Sequence, residues 1–216
     1  MNIAFIGCGN LGMPCAEELA KTGHKVTGYD VAKVKSNFVE IMPTIETTVK
    51  DAQIVFVAVP TPHDSAYDGR APTAHLDPKD FNYNIVKDVL IEANACMYPS
   101  QMLVLISTVL PGTVRRELEP LVTCTRFVYN PYLIAMGSVA WDFLNPEMIM
   151  IGTEDGSDTG DARELINLYK TVIENDPRYV VGTWDECECI KVFYNTFIST
   201  KITLANMIQD VAMKQG

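Results

Sequence analysis

Three closely spaced glycines near the N-terminus present a stretch of backbone that could hold a phosphate. Gly7, Gly9 and Gly12 follow a short apolar run and precede a stretch of helix formers. In a G-x-G-x-x-G turn, the first glycine permits a tight turn, the second lets the backbone approach a pyrophosphate, and the third lets the helix pack on the strand. The helix N-terminus then faces the anion. The pattern alone also fits an ordinary tight turn.

An acidic residue further along favours the phosphate-binding interpretation. Asp30 ends the second predicted strand, 18 residues after Gly12. An aspartate there can accept hydrogen bonds from both ribose hydroxyls of an adenosine, and it would repel a 2′-phosphate. We therefore expect NAD rather than NADP as the cofactor. The expected contacts from this region are Gly7, Gly9, Asn10, Leu11, Gly12 and Asp30.

Strand and helix patterns alternate along the chain. The runs at 54–59 and 103–107 are apolar almost throughout, as parallel strands covered on both faces require. The predicted strands are residues 2–6, 25–29, 54–59, 103–107, 126–129, 148–151 and 179–181. The predicted helices are residues 11–21, 47–52, 81–96, 113–121, 161–174 and 186–214, and residues 130–145 are expected to be irregular and then helical. This alternation predicts an α/β fold, a doubly wound Rossmann-type parallel sheet with a long C-terminal helix.

Composition argues against several other classes of function. The 216-residue chain has a formal net charge of −10 and no notably basic segment, so we expect no nucleic-acid partner. No apolar run approaches the ~20 residues of a membrane span, so no membrane partner is expected. The six cysteines are scattered without a CxxC pair, which is typical of free thiols in a reducing cytoplasm. Neither they nor the three histidines have metal-site spacing, so no metal is expected.

Four longer stretches resemble the UDP-glucose/GDP-mannose 6-dehydrogenase family. The first two are VAVPTP at 57–62 and STVLPGT at 107–113. The other two, which are long and distinctive, are NPYLIAMGSVAWDFLNPEMIMIG at 130–152 and ECIKVFYNTFISTKITLANMIQD at 188–210. The resemblance covers nearly the whole chain. Related hydroxyacid dehydrogenases share the glycine fingerprint and a Lys-x-x-x-Asn helix, but they lack a DFLNP…IG segment.

The resemblance implies an activity and a set of site residues. Enzymes of this family oxidise C6 of a nucleotide sugar to a carboxylate with two NAD molecules, through a thiohemiacetal and a thioester on a cysteine. Lys191 and Asn195 match the family's active-site pair, and their spacing places both on one helix face. Together with Thr108 they are the expected catalytic residues. The further NAD contacts implied by the resemblance are Val59, Pro60, Thr61, Ser107 and Thr108.

The chain also departs from the family's pattern. Tyr132 and Met136 stand where the family has glutamates, and Met148 stands where it usually has arginine. Tyrosine, with a pKa near 10, is a poor base at neutral pH. The segment between Asp30 and the next predicted strand is shorter than in relatives, and the chain ends before the family's nucleophilic cysteine. We therefore expect residues 1–185 to form the NAD-binding domain and residues 186–216 to begin the central connecting and dimerisation helix. The domain that binds the nucleotide base of the substrate and carries the catalytic cysteine is expected to be absent from this chain.

Three functions remain open on these residues. The first is the NAD-binding part of a nucleotide-sugar 6-dehydrogenase acting on UDP-glucose or GDP-mannose. The second is a catalytically inactive module that binds NAD or a nucleotide sugar, which Tyr132 and the missing cysteine favour. The third is a related 3-hydroxyacid dehydrogenase. The expected partners are a nucleotide sugar and a second copy of the chain, paired through the apolar C-terminal helix.

Overall fold

Eight strands form a single sheet in the computed structural model, which describes residues 1–215. The strands are β1 (Asn2–Ile6), β2 (Lys25–Tyr29), β3 (Glu40–Ile41), β4 (Ile54–Val57), β5 (Met102–Leu105), β6 (Arg126–Tyr129), β7 (Met148–Thr153) and β8 (Arg178–Thr183). The α-helices are α1 (Gly12–Lys21), α2 (Ile45–Val49), α3 (Asn84–Cys96), α4 (Val139–Leu144), α5 (Gly160–Tyr169) and α6 (Trp184–Gln215).

The strand order is β3-β2-β1-β4-β5-β6-β7-β8. Strand β1 pairs in parallel with β2 on one side and with β4 on the other. The order therefore reverses at β1, which is the place where open α/β sheets bind ligands beyond the carboxyl ends of their strands. This arrangement confirms the predicted doubly wound α/β fold with a long C-terminal helix.

The two faces of the sheet bury separate sets of side chains. Along β1, Ile3 and Phe5 pack towards α1, α4 and α5, whereas Ala4 and Ile6 pack towards α2 and α3. All four are at most 1% exposed. The apolar runs are continuous because both faces of the central strands are covered by helices.

One strand pair departs from the predicted parallel sheet. Strands β6 and β7 are antiparallel and share the pair Tyr129 and Gly152, whereas β7 and β8 are parallel over six residue pairs. An apolar run shows that a strand is buried but does not show its direction. The sheet is therefore mostly parallel, as predicted, and this antiparallel pair is the exception among the described strands.

Several element bounds also differ from the prediction. The two-residue strand β3 was not predicted, and α2 starts two residues earlier than the predicted helix because Thr44 caps it. The helix predicted at 113–121 is instead a π-helical turn (Val114–Leu118) followed by a 3₁₀ turn (Glu119–Leu121). Pro120, within the second turn, has no N–H to continue an α-helix.

The C-terminal helix leaves the sheet after two turns. Trp184, Cys187, Glu188 and Lys191 are buried, whereas every side chain from Asn195 to the last described residue is exposed. The helix starts two residues before the predicted domain boundary at 186, and the division itself stays a prediction. None of the helices in the described part of the chain has the length and apolar character needed to cross a membrane.

Candidate functional site

The glycine turn after β1 is sterically fixed at two of its three glycines. Gly7 has a φ of +93°, and a Cβ there would lie 2.4 Å from the Ala58 carbonyl oxygen. A Cβ on Gly12 would lie 1.9 Å from the Gly7 carbonyl oxygen. A Cβ on Gly9 would meet nothing within 4 Å. Gly7 and Gly12 thus serve the packing of the turn, while Gly9 leaves open backbone where a ligand can approach.

The N-terminus of α1 faces this open side without a cap from the residue before it. Leu11 precedes the helix and its side chain accepts no capping hydrogen bond, and the first turn holds no acidic residue. Asn10 is exposed, and Leu11 packs partly against the core. Because the first N–H groups of a helix have no partners within the helix, they remain suited to an anion such as a pyrophosphate.

Asp30 connects the end of β2 to the glycine turn. One oxygen of its carboxylate accepts a hydrogen bond from the Cys8 backbone N–H at 2.8 Å, and the other accepts one from the Ala32 N–H at 2.8 Å. The side chain remains half-buried. A carboxylate has about four acceptor positions, so Asp30 can still receive two ribose hydroxyls while it holds the turn. The residues of this edge therefore fit the adenosine half of NAD.

The loops after β4 and β5 are bonded to each other. The Ser107 hydroxyl donates to the Val59 carbonyl at 2.6 Å, and the Thr61 hydroxyl donates to the Thr108 carbonyl at 2.8 Å. Ser107 is buried and Pro60 is exposed. The hydroxyls of Ser107 and Thr61 thus join the two loops. The five NAD contacts predicted in these loops therefore lie together at one edge of the sheet: Val59, Pro60, Thr61, Ser107 and Thr108.

Lys191 is a buried lysine with two uncharged partners. Its ammonium donates to the Tyr132 carbonyl at 2.7 Å and contacts the Asn195 side-chain oxygen at 3.5 Å. Burial lowers the pKa of Lys191, because desolvation disfavours the charged form. The helical spacing inferred from the sequence does bring Lys191 and Asn195 onto one face.

Two clefts meet at Asn195. One has a volume of about 650 Å³ and is lined by Lys191 together with Trp141 and Glu147. The other has a volume of about 680 Å³ and is lined by Thr108, Phe81 and hydroxyl-bearing residues of α6. Asn195 lines both, so the three predicted catalytic residues are distributed around the junction of the two clefts.

Tyr132 points its hydroxyl away from these clefts. The hydroxyl bonds to the Tyr169 hydroxyl at 3.0 Å, Tyr169 donates to the side-chain oxygen of Asn130, and the Asn130 amide donates to the Met150 carbonyl at 2.5 Å. The ring also packs on Phe143. Burial raises the pKa of Tyr132 well above its usual value. On the cleft side, the carbonyl of Tyr132 accepts the hydrogen bond from Lys191. The side chain of Tyr132 therefore supplies no base to the cleft.

Two carboxylates near Lys191 were not singled out from the sequence. Asp142 accepts hydrogen bonds from the Ala135 N–H and the Ser138 hydroxyl, each at 2.8 Å, and so holds the loop that follows β6. Glu147 contacts the Tyr194 hydroxyl at 3.5 Å and is exposed. Both line the cleft of Lys191. Both lie in the stretch DFLNPE at 142–147, and their charges among apolar residues could have marked them as candidate site residues.

A third carboxylate, Glu188, was also missed. It is wholly buried and accepts hydrogen bonds from the backbone N–H groups of Gly112 at 2.6 Å and Val114 at 2.7 Å. Burial raises its pKa, because the cost of desolvating the charge outweighs these bonds. The sequence shows only one more glutamate in an acidic helix start, so nothing there distinguished it.

The cysteines of the described chain line neither cleft. Cys8, Cys15 and Cys187 are buried, and burial is the main cause that raises the pKa of Cys8 and of Cys187 to about 12. A thiol in such surroundings remains protonated and unreactive. Residues 1–215 also contain no cluster of three or more potential metal ligands.

The chain is similar to known proteins in both sequence and fold. The family model described as UDP-glucose/GDP-mannose dehydrogenase family, NAD binding domain, matches residues 31–173. The UDP-glucose 6-dehydrogenase of Rhizobium meliloti is 30% identical over the full chain, which covers 54% of that enzyme. An uncharacterised protein of Methanocaldococcus jannaschii is 29% identical over 99% of this chain and is covered over 26% of its own length.

Among solved structures, the fold is similar to that of GDP-mannose dehydrogenase from Pseudomonas aeruginosa. The TM-score is 0.79 at 23% identity, over 95% of this chain and 52% of that one. The chain therefore spans about half the length of the dehydrogenases it matches. The matched segment excludes the glycine turn and α6, so the roles of their residues stay predictions from the sequence motif and the resemblance. On the match over residues 31–173, the chain belongs to the UDP-glucose/GDP-mannose dehydrogenase family and carries its NAD-binding domain.

Proposed function

We propose that this chain binds NAD as the cofactor half of a nucleotide-sugar 6-dehydrogenase and that, by itself, it does not complete the oxidation to the uronic acid. The observation that carries this proposal is the contrast at Tyr132. At the proposed NAD site, Gly9 leaves the backbone open and Asp30 is in place. The hydroxyl of Tyr132, at the position that the resemblance gives to the family's glutamate, lies in the core instead.

The proposed cofactor contacts lie along the carboxyl edge of β1, β2, β4 and β5. The backbone of the glycine turn and the N-terminus of α1 would hold the pyrophosphate, and Asp30 would hold the adenosine ribose. When bound, NAD supplies a hydride acceptor for the C6 carbon of the sugar. The full set of proposed contacts is Gly7, Gly9, Asn10, Leu11, Gly12, Asp30, Val59, Pro60, Thr61, Ser107 and Thr108.

Lys191, Asn195 and Thr108 are proposed to position the C6 oxygen of the sugar. The Lys191 ammonium is held in place by the Tyr132 carbonyl, so it can present its positive charge to an oxygen that develops negative charge. Complete oxidation also needs a thiolate to hold the aldehyde and a base to activate water. The described clefts hold no cysteine, and Tyr132 offers no base.

The substrate class proposed is a nucleotide sugar, in line with the names of the relatives. A catalytically inactive binding module is the second candidate, and the inward hydroxyl of Tyr132 is the observation that favours it. The match to the nucleotide-sugar family opposes the third, a 3-hydroxyacid dehydrogenase. The free cysteines support a reducing, cytoplasmic location.

We also propose that the chain forms a homodimer through α6. Beyond its second turn the helix exposes a long apolar surface, which soluble proteins seldom leave uncovered. Light scattering at tens of micromolar should give the mass of two chains, and a strictly monomeric mass would argue against this interface. The exposed apolar residues are Phe193, Phe197, Ile198, Ile202, Leu204, Met207, Ile208, Val211 and Met213.

Fluorescence titration with NADH and NADPH tests the proposed cofactor site. NADH should bind about tenfold more tightly or better, a difference of about 1.4 kcal/mol, because the Asp30 carboxylate repels a 2′-phosphate. Equal affinities would contradict the assignment of Asp30. If neither binds, the short segment after Asp30 has removed the adenosine pocket and the proposed function fails.

A further inference from the structure

Glu188 joins the C-terminal helix to the loop that follows β5. It lies on the second turn of α6, and its two carboxylate oxygens accept from the N–H groups of Gly112 and Val114 at 2.6 and 2.7 Å. These sequence positions are more than 70 residues away from Glu188. A wholly buried carboxylate that reaches across two elements is costly unless such bonds satisfy it.

The bonds of Glu188 cap the π-helical turn that begins at Val114. Thr113 precedes that turn, and its side chain makes no capping bond. The first N–H groups of a helical turn need acceptors, and a carboxylate is well suited to them. Here the acceptor comes from α6 and not from the turn's own segment, so the cap also fixes the distance between the two elements.

The two elements that Glu188 joins carry different parts of the proposed site. The loop after β5 contains Thr108, which is bonded through its carbonyl to Thr61. One turn after Glu188 on α6, Lys191 bonds to the Tyr132 carbonyl in the loop after β6. The start of α6 is therefore attached to two neighbouring loops, by a carboxylate on one side and by an ammonium on the other.

We propose that Glu188 is a positioning residue that sets α6, and with it Lys191 and Asn195, relative to the cofactor-side loop at 107–113. This proposal rests on the proposed function, in which that loop contacts NAD. Glu188 itself touches neither cleft. Its role is to hold Lys191 in its buried place and to hold the loop beneath Thr108.

Glu186 provides a matched control on the same helix. Its carboxylate also accepts from a backbone N–H, that of Thr183 at 2.8 Å, but it is exposed and caps only the start of α6. Glu186→Gln and Glu188→Gln remove the same charge and the same acceptor capacity. A general loss of charge or of helix capping affects both variants, whereas only Glu188→Gln disturbs the loop at 107–113.

Two measurements on the folded variants test the proposal: the Kd of NADH, and the pKa of Lys191 followed by NMR and assigned by the signal lost in Lys191→Met. Glu188→Gln should weaken NADH binding about tenfold, the size of one charge-assisted hydrogen bond. It should also raise the pKa of Lys191, because a displaced Lys191 regains water. Loss of a nearby negative charge alone would lower that pKa, so the sign separates repositioning from simple electrostatics.

The proposal requires that the Kd of NADH and the pKa of Lys191 both change in Glu188→Gln and that both stay near their wild-type values in Glu186→Gln. A Glu188→Gln variant that keeps either reading at its wild-type value overturns the proposal. If that variant does not fold, Glu188→Asp replaces it, since it keeps the charge but is too short to reach both N–H groups, and the same criteria apply. If the wild type binds no NADH, the proposed function fails, and the pKa of Lys191 alone decides the role of Glu188.

Discussion

The glycine turn and the cleft around Lys191 lie at the same edge of the sheet, but their residues are constrained in different ways. In the turn, a Cβ on Gly7 or Gly12 would overlap backbone atoms, so packing fixes these residue types whatever the ligand. Beside the cleft, the side chain of Tyr132, which by the resemblance stands where the family has a glutamate, turns into the core. Backbone packing preserves the first region, whereas the chemistry of the second depends on side chains that the fold does not require.

A methyl group added within the turn should have the largest effect on stability. Gly12→Ala should lower the free energy of unfolding by about 3 kcal/mol, because its Cβ would lie 1.9 Å from the Gly7 carbonyl oxygen. Gly9→Ala should change it by less than about 1 kcal/mol, since its Cβ meets open space. Urea denaturation of both variants measures the difference. Equal destabilisation would show that the turn's glycines are not divided between packing and ligand approach.

The same Gly9→Ala variant should affect the ligand and spare the fold. Its methyl group would occupy the open side of the turn, so we expect NADH to bind at least about tenfold more weakly. Fluorescence titration of the variant against wild type gives the ratio of the two Kd values. Unchanged affinity in a folded variant would mean that the pyrophosphate does not approach Gly9.

In the cleft we expect the opposite effect: the protein should become more stable when the buried charge of Lys191 is removed. Lys191→Met replaces a buried ammonium that has only uncharged partners with an apolar side chain of similar length. We expect it to raise the free energy of unfolding at neutral pH by about 1 kcal/mol. Lysine-to-methionine substitution at the exposed Lys201 is the control, with little expected change.

The pH dependence of that gain sharpens the test. The pKa of Lys191 is lower in the folded than in the unfolded chain, so folding favours its neutral form. The penalty of the charged lysine is therefore complete below the folded pKa and is relieved as pH rises towards the unfolded value. The advantage of Lys191→Met should shrink between neutral and alkaline pH in denaturation experiments. An advantage that is constant or grows with pH would contradict the buried, unpaired charge.

The sequence was most informative where local rules determine the structure. The β1–α1–β2 unit could be predicted because an apolar run, three glycines and an aspartate each have a local physical meaning. The antiparallel direction of β7, the inward hydroxyl of Tyr132 and the bonds of Glu188 could not be predicted. Each depends on partners far away in the chain, and neither residue type nor periodicity reveals those partners.

Whether the chain completes the oxidation is decided by a turnover assay with the 216-residue chain, NAD and either UDP-glucose or GDP-mannose, followed by the absorbance of NADH. The chain should bind NADH in parallel titrations and yet form no detectable uronic acid, because positioning groups without a nucleophilic cysteine in the clefts leave only residual catalysis. Sustained NADH production that is abolished by Lys191→Ala would contradict the account. It would show that Tyr132, a nearby carboxylate or one of the cysteines has taken over the missing chemistry.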